Sequence, residues 1–197
     1  MNATGNKGIT RTLFCSDTHF MHKNICKYTD RSKVTTAEQH DQWLIDLWNS
    51  QVNKGDLVYL LGDVSFGKLD QTIKILSQLN GQIIVIKGNH DKREELNKLK
   101  ELNLIQNWYD YKEITISKQP IIMFHFAIAT WHKQGYGAFH LYGHSHGTFE
   151  NTGLSLDVGI DSSYNYFGEH KLFTFEDIEV IMKTKTFEVQ DHHKDNR

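Results

Sequence analysis

Five short apolar runs recur along this 197-residue chain, and each leads straight into residues able to bind a metal ion. The runs Leu13 to Ser16, Leu57 to Leu61, Ile83 to Ile86, Ile121 to Phe124 and Phe139 to Tyr142 precede five clusters in order. These are Asp17-Thr18-His19, Gly62-Asp63, Gly88-Asn89-His90-Asp91, the single His125, and Gly143-His144-Ser145-His146. Runs of four or five residues rich in β-branched side chains and bounded by Gly and Asp predict buried strands. Ligands in open α/β sheets bind in the crevice beyond the strand ends. The pattern therefore fixes a fold class and a site together: an α/β sheet whose strand ends converge on one cluster of imidazoles and carboxylates.

The segments between the runs read as follows. Thr35-Thr36-Ala37-Glu38 forms the pattern of a capping box, with Thr35 accepting from the first turn, and a helix follows to about Val52 with Trp43, Leu44, Leu47 and Trp48 on one face. Leu69, Ile73, Leu76 and Leu79 repeat at helical spacing and Asn80-Gly81 ends the helix. A charged helix runs through Glu94, Leu96 and Leu99. From Trp108 to Gly159 the chain turns to short strands, Tyr109–Tyr111, Glu113–Ile116, Ile121–Phe124 and Leu154–Gly159 among them, and Thr174 with Asp177 opens a last helix over Phe175 to Met182. Residues 1–190 are expected to form a single domain, and 191–197 a polar tail carrying His192 and His193.

Composition excludes some functions. A net charge of -2 provides no basic footprint for strong double-stranded nucleic-acid binding. No apolar run reaches membrane-spanning length, and Met1 to Thr12 lacks the apolar core of a signal peptide. Cys15 and Cys26 make neither a disulfide framework nor a thiolate zinc pattern, so a reducing cytoplasm is the expected location.

The ligand types suit a pair of divalent ions. Carboxylates offset charge, imidazoles fix geometry, and Asp63, alone at the end of the second strand, is the natural bridge. Asp17 and His19 reach one ion if the strand gives way to a turn, and also if it continues, because residues two apart share a face. Asn89 offers a neutral amide oxygen that leaves the site electrophilic. Twelve histidines decide nothing by number; His40, His132, His170, His192 and His193 are expected on the surface or satisfied within the core, and His140 beside the site. The loop from Phe20 to Arg31 is divided between a solvated surface and substrate contact, with His22 and Arg31 as its candidate contacts.

Asp-x-His, Gly-Asp, Gly-Asn-His-Asp, a lone His and Gly-His-x-His, in this order from Leu13 to Gly147, resemble the calcineurin-like metallophosphoesterase superfamily, in particular its compact bacterial and phage members. The resemblance implies two facing mixed β-sheets flanked by helices, with the strands from Trp108 to Gly159 forming the second sheet. It implies that Asp17, His19 and His146 hold one metal, that Asn89, His125 and His144 hold the other, and that Asp63 bridges them. His90 is then the catalyst beside the scissile phosphate, with Asp91 as its supporting partner and Asn89 also near substrate. The implied reaction is phosphoester hydrolysis by a hydroxide activated between two divalent ions, with manganese the first choice and iron, nickel or zinc also compatible. The substrate is expected to be small, a nucleotide or a short nucleic acid. The superfamily's protein phosphatases carry an Asp-Arg-Gly after Gly-Asp and an Arg after their Gly-Asn-His-Glu; this chain has Val64-Ser65-Phe66 and Asp91, which favours a phosphodiesterase. A broad phosphomonoesterase and a non-catalytic metal-binding scaffold are the alternatives.

Overall fold

A computed structural model of the protein describes residues 11–29, 31 and 36–187. The first sheet is built from β1 (Thr12–Cys15), β2 (Leu57–Leu60), β3 (Gln82–Ile86), β4 (Asn107–Tyr109) and β9 (Phe173–Thr174), in the order β4-β3-β2-β1-β9. Its first four strands are parallel, and β9 closes the edge antiparallel to β1. The second sheet, β5 (Tyr111–Ile116), β6 (Gln119–Phe124), β7 (Phe139–Tyr142) and β8 (Ser155–Asp157), joins an antiparallel hairpin to two parallel strands. Among the described residues, six α-helices complete the fold: α1 (Ile25–Tyr28), α2 (Ala37–Gln51), α3 (Leu69–Leu76), α4 (Arg93–Glu101), α5 (Ile160–Phe167) and α6 (Phe175–Met182).

Strand periodicity explains the layering. Leu13, Cys15, Val58, Leu60, Ile83 and Val85 face a core shared with Leu44, Trp48, Ile75 and Leu96 of the helices. The alternate residues Phe14, Tyr59, Leu61 and Ile86 face the second sheet, meeting Ile121, Met123, Leu141 and Leu156, with Ile178 and Met182 of α6 filling one end. Both faces of the first sheet are thus buried, which is why its strands are continuous apolar runs with no polar alternation. Burying each of these side chains contributes roughly 1.5–3 kcal/mol.

Several local expectations need correction. The N-cap of α2 is Thr36, whose hydroxyl accepts from the Gln39 amide at 3.2 Å; Thr35 lies outside the described residues, as do His192, His193 and the rest of the tail. The helix from Leu69 ends at Leu76, three residues short of Leu79. Tyr109 to Tyr111 is not one strand, for the chain bends at Asp110, and β4, including Trp108, pairs with β3 in the first sheet. Leu154 to Gly159 shortens to β8, and α5 follows, so Asp161 lies on a helix. At Thr174 the reciprocal cap with Asp177 forms as expected.

Candidate metal centre

The sheets meet where their strands end. Ser16, just past β1, bridges to Gly159, just past β8, and the Ser16 hydroxyl donates to the Leu61 carbonyl at 2.7 Å. There the backbone leaves extended geometry: Asp17, His19, Asp63, His144 and His146 all have positive φ, between 49° and 69°. Non-glycine residues adopt this region at a cost, and they persist there where surrounding structure enforces it. Five of the seven expected ligands share this feature, so the turn and not the continued strand aims Asp17 and His19.

Two glycines make the convergence possible. Gly62 has φ +91°, and a Cβ on it would lie 2.5 Å from the Gly88 nitrogen and 2.6 Å from His125 Nδ1. A Cβ on Gly143 would overlap the Ser16 hydroxyl.

The ligand atoms form two groups. Asp17, His19 and His146 present theirs within 4.8 Å of one another, as do Asp63, His125 and His144. Asp63 Oδ2 links the groups, 3.7 Å from His19 Nε2 and 3.6 Å from His125 Nε2. Its other oxygen accepts the His90 amide at 3.0 Å. Asp17 divides its carboxylate in the same way: Oδ2 accepts the His144 amide at 2.8 Å, while Oδ1 is buried without a hydrogen-bond partner. Both His19 ring nitrogens are likewise unpartnered.

Buried polar atoms left unpaired are costly. A divalent cation, taking lone pairs from both Asp17 Oδ1 and His19 Nε2, fits them. At His125, Nδ1 lies 2.6 Å from the Leu61 carbonyl, which can only accept, so the proton sits on Nδ1. Nε2 of the neutral ring is then a lone-pair donor, 2.9 Å from the Asn89 amide oxygen, another such donor. The donor set is all nitrogen and oxygen, as borderline or hard divalent ions require.

Protonation states agree with this. Burial pushes the Asp17 carboxyl up, but the imidazoles of His19, His146 and His125 around it outweigh burial and hold the group below the usual range. Burial lowers His19, and burial with neighbouring His125 lowers His144, leaving both rings neutral and able to coordinate. His146 is raised, because its hydrogen bond to Asp161 and the Asp17 and Asp161 charges overcome burial.

Two expected site residues occupy different roles. Arg31 makes no approach to a substrate surface: it is fully buried, with Nε and Nη2 each 2.8 Å from the Asp161 carboxylate. Its remaining donors go to the backbone carbonyls of Thr18 and Asp17 and to His40 Nε2. Asp161 in turn accepts His146 Nδ1 at 2.6 Å, which fixes the tautomer and leaves Nε2 facing Asp17. Asp91 turns its carboxylate to the backbone. Its carboxylate is buried and accepts the amides of Gly88, Asp63 and Val64 at 2.8–3.0 Å, tying the third ligand loop to the second. His22 lies in the site with its ring 5.4 Å from that of His19. His90 has its Nε2 4.0 Å from Asp63 Oδ2 and an exposed side chain, and Asn89 is exposed beside it.

Sequence reasoning missed Asp161 and Phe66. Phe66 is 40% exposed and its ring lies 4.2, 4.5 and 5.0 Å from those of His22, His90 and His19. Asp161 had no local signal, since its partners lie far away in sequence. Phe66 had one, an apolar residue three positions after Asp63 in a loop.

Comparison with known proteins bears on the fold and the family. An uncharacterized protein of Methanocaldococcus jannaschii is 43% identical over 90 residues, 45% of this chain and 51% of its own length. The gene 66 protein of Mycobacterium phage L5 is 34% identical over 93 residues, 46% of this chain and 44% of its own. The match therefore spans about half the length of these curated relatives. Among solved structures, a protein of unknown function from Aquifex aeolicus superposes with a TM-score of 0.64 at 21% identity, covering 87% of this chain and 99% of that one. The profile of the calcineurin-like phosphoesterase family matches residues 10–195, nearly the whole sequence, and the chain belongs to that family.

Proposed function

We propose that the protein is a dinuclear metal-dependent phosphodiesterase acting on small or nucleotide diesters. The observation that carries this reading is the pair of ligand groups joined at Asp63 Oδ2, with Asp17 Oδ1 and His19 Nε2 buried and unpartnered between them. Asp17, His19 and His146 would hold one ion, Asn89, His125 and His144 the other, and Asp63 both. Bound there, two divalent ions supply hydroxide near neutral pH and neutralise charge on the phosphate oxygens.

The protein's own part is placement and proton transfer. His90, exposed at the rim and anchored through its amide to Asp63, is placed to protonate the leaving oxygen. Asp91 acts earlier in the hierarchy, by holding the loop that carries Asn89 and His90.

Preference for diesters is supported by where the arginines are. Among the described residues, Arg11, Arg31 and Arg93 are paired with Asp56, Asp161 and Asp110, so none offers a bidentate clamp to a dianionic monoester. Manganese is the first metal to try. The test is a comparison of kcat/KM for a 2′,3′-cyclic nucleotide and the matching monoester, and for bis(p-nitrophenyl) phosphate and p-nitrophenyl phosphate. Diester preference in both pairs is expected; monoester preference in both overturns the diesterase reading. Metal analysis after loading should find two ions per chain, and one or none refutes the dinuclear site.

A further inference from the structure

We infer that Phe66 is a stacking platform for a planar ring on the departing half of the substrate, so that the preferred leaving group is a nucleoside. This deepens the phosphodiesterase reading and rests on it. Four observations carry it. The buried phenylalanines Phe14, Phe20, Phe139, Phe173 and Phe175 are at most 9% exposed, whereas Phe66 is 40% exposed in the midst of charged and polar ligands. Single exposed apolar rings are common, but this one sits on the site itself.

Its backbone is held rigidly. The Phe66 amide donates to the Phe20 carbonyl at 2.8 Å, Ser65 bridges to Phe20, and the Gly67 amide donates to the Ser65 hydroxyl at 3.1 Å. A platform gains most when its own ordering has been met before the ligand arrives. The ring is also stacked against two imidazoles, nearly parallel to His22 at 13° and His19 at 18°.

Position selects the departing half. Phe66 touches His90, the group placed to protonate the leaving oxygen, at 4.5 Å between ring centres. The other exposed ring at the site, Phe126, packs on His125, His144 and Phe124 and makes no ring contact with His90. A base on the leaving nucleoside therefore meets Phe66, and a base on the retained half does not.

The experiment uses deoxyadenosine dinucleotides in which the base is replaced by an abasic sugar on one side or the other, with wild type, Phe66→Ala and Phe66→Trp. Removing the leaving-side base should lower wild-type kcat/KM about 5- to 150-fold, the range of one base–aromatic stack, mainly through KM. Removing the other base should have little effect. Phe66→Ala should lose far more on the substrate that keeps the leaving-side base than on the abasic one, so that the preference falls toward unity, and Phe66→Trp should keep the preference. Equal losses on both substrates, with or without a fall in metal content, would make Phe66 a cover for His19 and overturn the proposal. Wild-type turnover with no base preference overturns the platform alone, whereas absence of all diester turnover overturns the phosphodiesterase reading beneath it. Equilibrium binding of adenosine, the departing product, against ribose reads the stack without turnover, and equal affinities in wild type and Phe66→Ala would also refute it.

Discussion

Replacing Asp161 by asparagine removes one charge and almost no volume, yet it acts on three contacts at once. Asp161 Oδ1 accepts Arg31 Nε at 2.8 Å, and Oδ2 accepts both Arg31 Nη2 at 2.8 Å and His146 Nδ1 at 2.6 Å. An amide has only one oxygen, so its NH₂ must face a donor from Arg31 or from His146. Arg31 stays charged with no exposed surface, and stranding one member of a buried ion pair costs about 3–5 kcal/mol. Losing the acceptor behind a metal-binding imidazole typically costs about 10- to 100-fold in metal affinity. Urea unfolding of the metal-free protein should therefore show the first loss, and calorimetric titration with Mn²⁺ the second. The double variant Arg31→Met, Asp161→Leu separates them: it should recover part of the stability, because no charge is left buried, but none of the affinity, because His146 Nδ1 still lacks an acceptor. Unchanged metal affinity in Asp161→Asn would refute the positioning argument and leave Asp161 as a strut. The Asp161 carboxyl is held well below its ordinary range, since the Arg31 and His146 hydrogen bonds outweigh burial. Its contribution is thus complete above about pH 4 and disappears only in strong acid.

Asp63→Asn should weaken both ion sites and abolish turnover, read by metal analysis together with activity; retention of both ions at wild-type affinity would show that Asp63 does not join them. His90→Ala should keep wild-type metal content and lose about 10²- to 10⁴-fold in kcat on an unactivated diester, with a smaller loss on aryl esters that leave without acid help. Loss of its metals would reassign His90 as a ligand. His140 is buried between Trp131 and Tyr142, its Nδ1 directed at the Ile122 carbonyl and its Nε2 accepting the Ile128 amide; burial pushes it down from 6.5 to about 4. The unfolded chain takes up that proton first as pH falls, so stability should be full above pH 6.5 and drop by roughly 3 kcal/mol toward pH 4. His140→Phe should flatten this part of the stability profile relative to wild type, and identical slopes would refute the assignment.

The sequence by itself determined strands β1, β2 and β3 and the candidate ligands that follow them, because both are local properties. A parallel strand buried on both faces must be apolar along its length, and a ligand at its end is adjacent in the chain to that run. Leu57 to Leu61 followed by Gly62-Asp63 is legible for this reason, as are the ligand clusters after β1, β3 and β7. Tertiary structure decided what depends on distant partners. Asp161 lay just past the expected strand with nothing local to mark it, and its meaning comes from Arg31, 130 residues away, and from His146 on another loop. Arg31 looked like a substrate contact because an exposed guanidinium and a buried, paired one have the same letter, and Asp91 looked catalytic because adjacency to His90 in sequence says nothing about where its carboxylate turns. Trp108 joined the first sheet and not the second because β4 pairs with β3 through backbone hydrogen bonds that side-chain pattern does not encode. Local pattern shows what a segment can bury or bind; only the folded chain brings together the groups that satisfy one another, because hydrogen bonds and ion pairs are short-ranged in space and indifferent to separation along the sequence.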